Sequence, residues 1–460
     1  MNHNQLLDTN EQESFLKALH SFSDRCIRLH VHRVETELPF AVTQVPWYPW
    51  GRFLVDSKLR PASFINYATA DYYIQDAASL LPLALLDPQA TDKICDLCAS
   101  PGGKASAIAE RLGPNGFLLA NESIRSRVDV LRYSLARTGN PCFAVSSYDP
   151  EMLANLMPQT FDAVLVDAPC SGQTLIGRNK RDDNAFSENQ IEHCALRQQR
   201  ILQSAVQLLK LGGRLIYSTC TFSTEENESQ IQWLQEQFPG AWEPIEPLEI
   251  APWQSPVQAG CYRLWPHRDH CAGGFAAGLR LVKEIEFEPN GMSSRGTKHR
   301  EVPLAGKTKP RSEMDKQKSV KEVLGLLGEF TNVTTEWQRG YAQCMTPGAM
   351  QMTGNFPQVA MEPMAVLIET GNHFVPTQGL AMLDNKFFRP NRILELVEQQ
   401  PKLFASGASI GIESSTDRSK SKTESGWTIA TFQGRPLGWC KVLSNRLNNH
   451  LPPWARLNIG

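Results

Sequence analysis

Between about residues 71 and 285 the chain alternates short apolar runs with segments of helical period, and this alternation restricts the fold more than any other feature. The runs 93–97, 117–120, 142–146, 161–166 and 214–218 have the length and continuity of buried strands. Between them, 104–112, 124–138 and 191–211 carry apolar residues at helical spacing. Strands that are apolar on both faces need helices on both faces. The predicted fold class is therefore α/β, with a doubly wound, mainly parallel, Rossmann-like sheet.

The remaining sequence sets the expected organisation. A chain of 460 residues exceeds one ordinary core. Residues 1–70 mix a helix expected near 14–22 with a strand-like 27–33, and read as a small α+β N-terminal domain. Residues 71–285 hold the alternating pattern. Residues 286–321 are polar, with nine Lys/Arg against three Asp/Glu between Arg295 and Lys321, which reads as a basic linker. From 322 to 460 a smaller α+β region is expected. It is interrupted by a polar loop at 414–425 and closed by a hairpin, 427–432 and 437–443, around Gln433-Gly-Arg-Pro436.

No run of about 18 uncharged apolar residues is present, so no membrane span is expected. The polar start MNHNQLLDTNEQES lacks the apolar core of a signal peptide. Eleven cysteines without dense spacing point to a reducing compartment, the cytoplasm. The net charge of −2 hides an asymmetry: 286–460 carries 21 Lys/Arg against 16 Asp/Glu, leaving 25 against 32 for the rest. A basic C-terminal part is compatible with a polyanion partner, and equally with ordinary surface variation. The oligomeric state leaves no sequence signature, so a monomer is the default.

Asp-Leu-Cys-Ala-Ser-Pro-Gly-Gly-Lys at 96–104 sits where the first strand ends and a helix begins, the place where doubly wound folds bind ligands. Gly102 and Gly103 allow close backbone approach, and the helix start offers free N–H groups. Neither the dinucleotide nor the P-loop glycine pattern is present. A tight turn without a ligand is the bland alternative. Acids then follow at successive strand ends, Glu122, Asp149 and Asp167. Each alone could cap a helix. Three in register suggest a nucleoside-like ligand with free ribose hydroxyls, and S-adenosyl-L-methionine fits because its cationic groups favour a carboxylate-rich pocket.

Two thiols complete the constellation. Cys170 lies in Asp167-Ala-Pro-Cys-Ser-Gly172 after the fourth strand, and Cys220 in Ser218-Thr-Cys-Thr-Phe222 after the fifth. Adjacent strand ends would bring both to one crevice. Buried cysteine often only fills space, and this reading competes with catalysis at each position. Cys95 and Cys98 have redox or zinc-site spacing, and His267, His270 and Cys271 form another conceivable ligand cluster. Asp96 is claimed by the turn motif and no second cysteine pair appears, so no metal is expected.

The stretches 96–104, Asp167-Ala-Pro-Cys-Ser-Gly172 and Ser218-Thr-Cys-Thr-Phe222 with Glu225-Glu-Asn227 resemble the Nop/Sun (Fmu) family of RNA cytosine-C5 methyltransferases. Tyr73-Ile-Gln-Asp-Ala-Ala-Ser79, Arg197-Gln-Gln-Arg-Ile-Leu202, Trp265-Pro-His-Arg-Asp269 and Gly273-Gly-Phe275 agree, so the resemblance covers about 25–285. The C-terminal hairpin is similar to the PUA-like, RNA-binding tail of the bacterial 16S ribosomal RNA members.

The resemblance implies an S-adenosylmethionine-dependent enzyme with Cys220 as the nucleophile toward cytosine carbon 6. Cys170 would help release the adduct, and Asp167 would meet the cytosine edge. Cofactor contacts would fall on Cys98, Ala99, Ser100, Pro101, Gly102, Gly103, Lys104, Glu122, Asp149 and Asp167, with Arg127 a weaker candidate. The implied substrate is small-subunit ribosomal RNA, with transfer RNA as the alternative. DNA cytosine methylation, where the thiol after proline is the nucleophile, and a non-catalytic ribosome-assembly factor are the competing readings. Two departures from the family pattern, Gln173-Thr-Leu-Ile-Gly177 and Ile27-Arg-Leu-His30, fall where RNA is expected to approach.

Overall fold

The computed structural model describes residues 6–21, 25–33, 35–178, 183–287, 313–338, 340–371, 373–411, 426–444 and 446–457. Most of the predicted basic linker and the polar loop at 414–425 lie outside these residues.

Five parallel strands form the centre: β1 (Lys93–Asp96), β2 (Phe117–Asn121), β3 (Phe143–Ser146), β4 (Phe161–Asp167) and β5 (Leu209–Thr219), in the spatial order β3-β2-β1-β4-β5. Both faces of the sheet are packed, with Phe117, Leu119 and Val164 on one and Leu118, Leu165 and Ile216 on the other at zero exposure. Each such side chain contributes on the order of 2 kcal/mol by leaving water. The helices between them are α1 (Gly103–Arg111), α2 (Val128–Ala136), α3 (Pro150–Leu156), α4 (Glu188–Leu208) and α5 (Glu228–Gln237). The chain winds outward from β1 to β3 and then returns to β4 on the other side. The strand order therefore reverses between β1 and β4, the place where such sheets leave a crevice.

Two local differences from expectation have simple causes. The helix expected over 191–211 starts at Glu188, where the Ser187 hydroxyl accepts from the Gln190 N–H. It stops at Leu208 because Leu209 turns extended and begins β5; the leucines of 208–211 fit either period. The helix expected from Ile124 begins only at Val128, after a single 3-10 turn at Arg125–Arg127.

The sheet continues beyond this core. At the β5 edge, β6 (Gly274–Leu281) runs antiparallel, followed by Trp242–Pro244 and Cys261–Leu264. At the β3 edge, β7 (Glu362–Thr370) pairs antiparallel through Glu362 with Val145 and Pro363 with Ala144, and Tyr341–Met345 and Thr334–Gln338 follow. The region after 322 thus does not stand apart, since part of it extends the central sheet. Beyond it lies a five-stranded sheet whose hairpin, Gly426–Phe432 with Arg435–Val442, sits where the sequence placed it.

At the N-terminus, Cys26–Leu29 lies between Gly51–Leu54 and Tyr72–Ile74 in a four-stranded sheet. Here one expectation needs correction. Ile27-Arg-Leu-His30 does not face approaching RNA: Arg28 is 1% exposed and His30 is buried as well. Arg28 is drawn inward by a carboxylate, with Nη1 donating to Glu110 Oε2 at 2.5 Å. Its Nη2 donates to the Ser106 hydroxyl at 2.8 Å.

Candidate active site

The turn after β1 leads to the crevice between β1 and β4. Gly102 stands at the N-cap of α1 with φ +108°, in the left-handed region that glycine tolerates. A Cβ there would meet the Ser134 Cβ at 2.4 Å. The backbone can therefore turn sharply under the sheet edge only without a side chain. The crevice opens into a cavity of about 410 Å³, within the usual range for small-molecule sites. Its walls come from Cys98, Ala99, Ser100, Pro101, Gly103 and Lys104 of the turn, and from Asp167, Ser218, Thr219 and Cys220 at the ends of β4 and β5. Tyr73, Gln75 and Asp76 close one side, and Ala272 to Phe275 another.

The floor is acidic and only partly neutralised. Asp96, 1% exposed, accepts at Oδ1 from the Cys98 N–H at 3.3 Å, while its Oδ2 is buried without a partner among the described residues. Burial, reinforced by the charge of Asp167, pushes its pKa up to about 8. Asp167 is held on both oxygens: Lys104 Nζ lies 2.7 Å from Oδ2, and the Ser218 hydroxyl donates to Oδ1 at 2.8 Å. Glu122 is buried at the end of β2, accepting from the Ile124 N–H at 2.8 Å and pairing with Arg127 at 3.3 Å. Arg127 also donates to the Ser100 carbonyl at 2.8 Å, so it ties Glu122 to the turn and is more than a solvated helix arginine. Asp149 is the N-cap of α3, its Oδ1 accepting from the Glu151 N–H at 3.0 Å. Neither Glu122 nor Asp149 lines the cavity.

The two thiols meet. Cys170 Sγ lies 3.0 Å from Cys220 Sγ and also accepts from the Cys220 N–H at 3.3 Å. Cys220 is half-buried and borders the cavity, whereas Cys170 is buried behind it. The hydrogen bond from Cys170 holds Cys220 below the ordinary thiol range against burial, with Lys104's charge assisting. The same contact, with burial, pushes Cys170 up. The two shifts run in opposite directions, so of the pair it is Cys220 that gives up its proton more readily.

A buried brace that the sequence reading did not anticipate fixes the thiol loops. Glu226 accepts from the Ser171 N–H at 2.9 Å, the Ser171 hydroxyl at 2.5 Å and the Gln198 amide at 3.0 Å. The Gln198 amide also donates to the Pro169 carbonyl at 3.1 Å. On the other loop, Thr219 donates to Asn227 at 2.5 Å and Asn227 donates to the Thr221 carbonyl at 3.0 Å. Gln173, one of the departures from the family pattern, accepts the Phe222 N–H at 2.9 Å. Phe222 is clamped between Phe15 of the helix Thr9–Ser21 (ring centroids 4.8 Å apart, edge to face) and Trp265 (5.5 Å, stacked). The signal for this brace was present in Glu225-Glu-Asn227 and in Gln198, but motif spacing alone does not say that their side chains point inward.

Three of the other possible ligand groups are packed instead. Cys95 is fully buried in β1, Cys271 is buried, and the His267 ring lies against Phe15 and Trp265.

Comparison with known proteins identifies the family. Residues 83–280 match the family described as 16S rRNA methyltransferase RsmB/F, and residues 391–457 match the methyltransferase RsmF PUA domain. Ribosomal RNA small subunit methyltransferase F from Klebsiella pneumoniae (strain 342) is 31% identical, covering 89% of this chain and 84% of its own length. The same-named protein of Erwinia tasmaniensis is 27% identical over 97% and 93%. Among solved structures, a methyltransferase homologue from Pyrococcus horikoshii superposes with a TM-score of 0.52 at 27% identity, covering 61% of this chain and 93% of that one. NSun6 from the same organism shares the fold, with a TM-score of 0.52 at 19% identity over 61% and 97%. The chain is a ribosomal RNA methyltransferase and belongs to the family of ribosomal RNA small subunit methyltransferase F.

Proposed function

We propose that the protein methylates carbon 5 of a cytosine in 16S ribosomal RNA through a covalent Cys220 adduct, with S-adenosyl-L-methionine as methyl donor. The observation that carries this reading is the 3.0 Å contact between Cys170 and Cys220 at the edge of the cavity. A core filler does not need a second thiol lowering its pKa.

The residues of the crevice fit the donor. The unpartnered Asp96 oxygen suits a cation, and the Gly102 turn leaves backbone free to approach it. Cys98 to Lys104 would form its cradle, with Glu122 and Asp149 at the strand ends beyond. When bound, it supplies an electrophilic methyl group on a sulfonium. Carbon 5 of cytosine becomes nucleophilic only after addition at carbon 6. The Cys220 thiolate forms that C6–S bond, and Asp167 faces the cytosine edge where charge changes near N3. The electron pair that this addition frees at carbon 5 would form the new C5–CH3 bond, while the S–CH3 bond of the donor would break with its pair returning to sulfur as a neutral thioether. The C5–H bond breaks, its proton passes to water, and its electron pair restores the C5–C6 double bond. The C6–S bond breaks with its pair returning to Cys220, whose departing sulfur is met by the Cys170 S–H.

The 391–457 region is proposed to grip RNA flanking the target, since base chemistry requires the cytosine to leave its stack. An enzyme of ribosomal RNA works where ribosomes assemble, which places it in the cytoplasm. Bisulfite sequencing of total RNA from cells with and without the protein tests the reading. Loss of one 5-methylcytosine in 16S RNA supports it, while a lost site in transfer RNA, or none, overturns it.

A further inference from the structure

Gln75 is 9% exposed and borders the cavity, yet half of its amide group is already committed. Its Oε1 accepts from Arg28 Nε at 3.3 Å. Arg28 cannot turn away, because its other nitrogens are held by Glu110 and Ser106 on α1. Facing a guanidinium, the amide must present its oxygen there and its NH2 on the other side. Among the described residues that Nε2 has no hydrogen-bond partner. It stands beside the first residue of α1: a Cβ built on Gly103 would lie 3.4 Å from Gln75 Nε2.

The start of α1 is likewise short of acceptors. Its first N–H groups have no intrahelical partner, and the Gly102 N-cap supplies no side chain to satisfy them. Donors of the helix start and the Gln75 amide therefore share one wall of the cavity, and Asp96, with one oxygen buried and unpaired, borders the same cavity. Donors on one side, and on the other an acid that an ammonium beside it would ionise, are complementary to a zwitterionic α-amino acid group.

We propose that Gln75, oriented by Arg28, donates its amide N–H to the carboxylate of the amino acid part of the methyl donor, at the N-terminus of α1. This rests on the cofactor reading above and adds a residue from outside the sheet to it. Arg28 is then a positioning residue: it ties the N-terminal strand Cys26–Leu29 to the donor site without touching the donor.

Gln75→Glu is the informative substitution, because it keeps an acceptor for Arg28 and removes the donor. Calorimetry on the full chain would compare S-adenosylhomocysteine with 5′-methylthioadenosine, which shares the adenosine but lacks the carboxylate and ammonium. The expected result is at least roughly tenfold weaker binding of S-adenosylhomocysteine, with methylthioadenosine within about twofold of the unaltered protein, as befits one charge-assisted hydrogen bond. Gln75→Ala should follow the same pattern, and retained methylthioadenosine binding shows that each variant is folded. Unchanged binding of S-adenosylhomocysteine, or equal loss of both ligands in a variant with an unaltered melting curve, overturns the assignment of Gln75. Failure of the unaltered protein to bind S-adenosylhomocysteine overturns the cofactor reading itself.

Discussion

Cys170 Sγ and Cys220 Sγ lie 3.0 Å apart, and the Cys220 N–H points at the Cys170 sulfur from 3.3 Å. The pair is asymmetric: the buried member is pushed above the ordinary thiol range and the member bordering the cavity is held below it. Cys170→Ala removes the donor that lowers Cys220, so the Cys220 thiolate should form only at higher pH. Alkylation of Cys220 by iodoacetamide, followed by mass spectrometry across pH, should shift its midpoint upward by about one unit or more, since one lost hydrogen bond is worth on the order of 1.4 kcal/mol. An unchanged profile would show that Cys170 does not activate its neighbour.

Glu226 holds the two thiol loops in register through Ser171 and Gln198. Glu226→Ala leaves several buried donors unpaired, each costing about 1–3 kcal/mol. The variant should melt several degrees lower, and its kcat should fall at least roughly tenfold with little change in the KM for S-adenosylmethionine, because angstrom-scale misplacement of reacting groups is costly. A fall in affinity for the donor alone would place Glu226 in the wrong part of the site.

Gly102→Ala combines a strained φ with a clash against Ser134. The expected cost is about 2 kcal/mol or more of stability in urea titration. Binding of S-adenosylhomocysteine should weaken with it, since the turn must move to relieve the clash. Unaltered affinity would detach this turn from the donor site.

Arg28 and Glu110 form a buried pair. Burial alone would raise Glu110, but the charges of Arg28 and His30 and the Arg28 hydrogen bond outweigh it and hold Glu110 below the ordinary carboxylate range. A lowered acid stabilises the fold above its unfolded pKa, and that stability is lost as pH falls through the folded one. The protein should therefore lose stability below about pH 4, near the unperturbed Glu value. Arg28→Met, which leaves Glu110 buried and unpaired, should cost about 3–5 kcal/mol at neutral pH and flatten this acid dependence. A cost below about 1 kcal/mol would show that the pair is not the anchor of the N-terminal strand.

The five central strands and both thiols were legible because each depends on local pattern: continuous apolar runs, a glycine turn, and cysteines one and three positions past a strand end. Three features were not. The pairing of Glu362 with Val145 joins residues more than two hundred positions apart, and no local pattern encodes such a partner. The N-cap bond that Asp149 accepts from the Glu151 N–H depends on where α3 starts, which the strand before it does not reveal. The resemblance placed Ile27-Arg-Leu-His30 where RNA approaches. Only the fold reveals that Glu110, eighty-two positions later, draws Arg28 into the interior.

The most direct test of the covalent account is a denaturing gel of radiolabelled 16S RNA incubated with S-adenosylmethionine and the variant proteins. Cys170→Ala should accumulate a protein–RNA band that survives denaturation, because Cys220 can add to the base but its release is slowed. The band should vanish in the Cys170→Ala, Cys220→Ala double variant. A band that persists without Cys220, or one that requires Cys170, would contradict the assignment of Cys220 as the nucleophile.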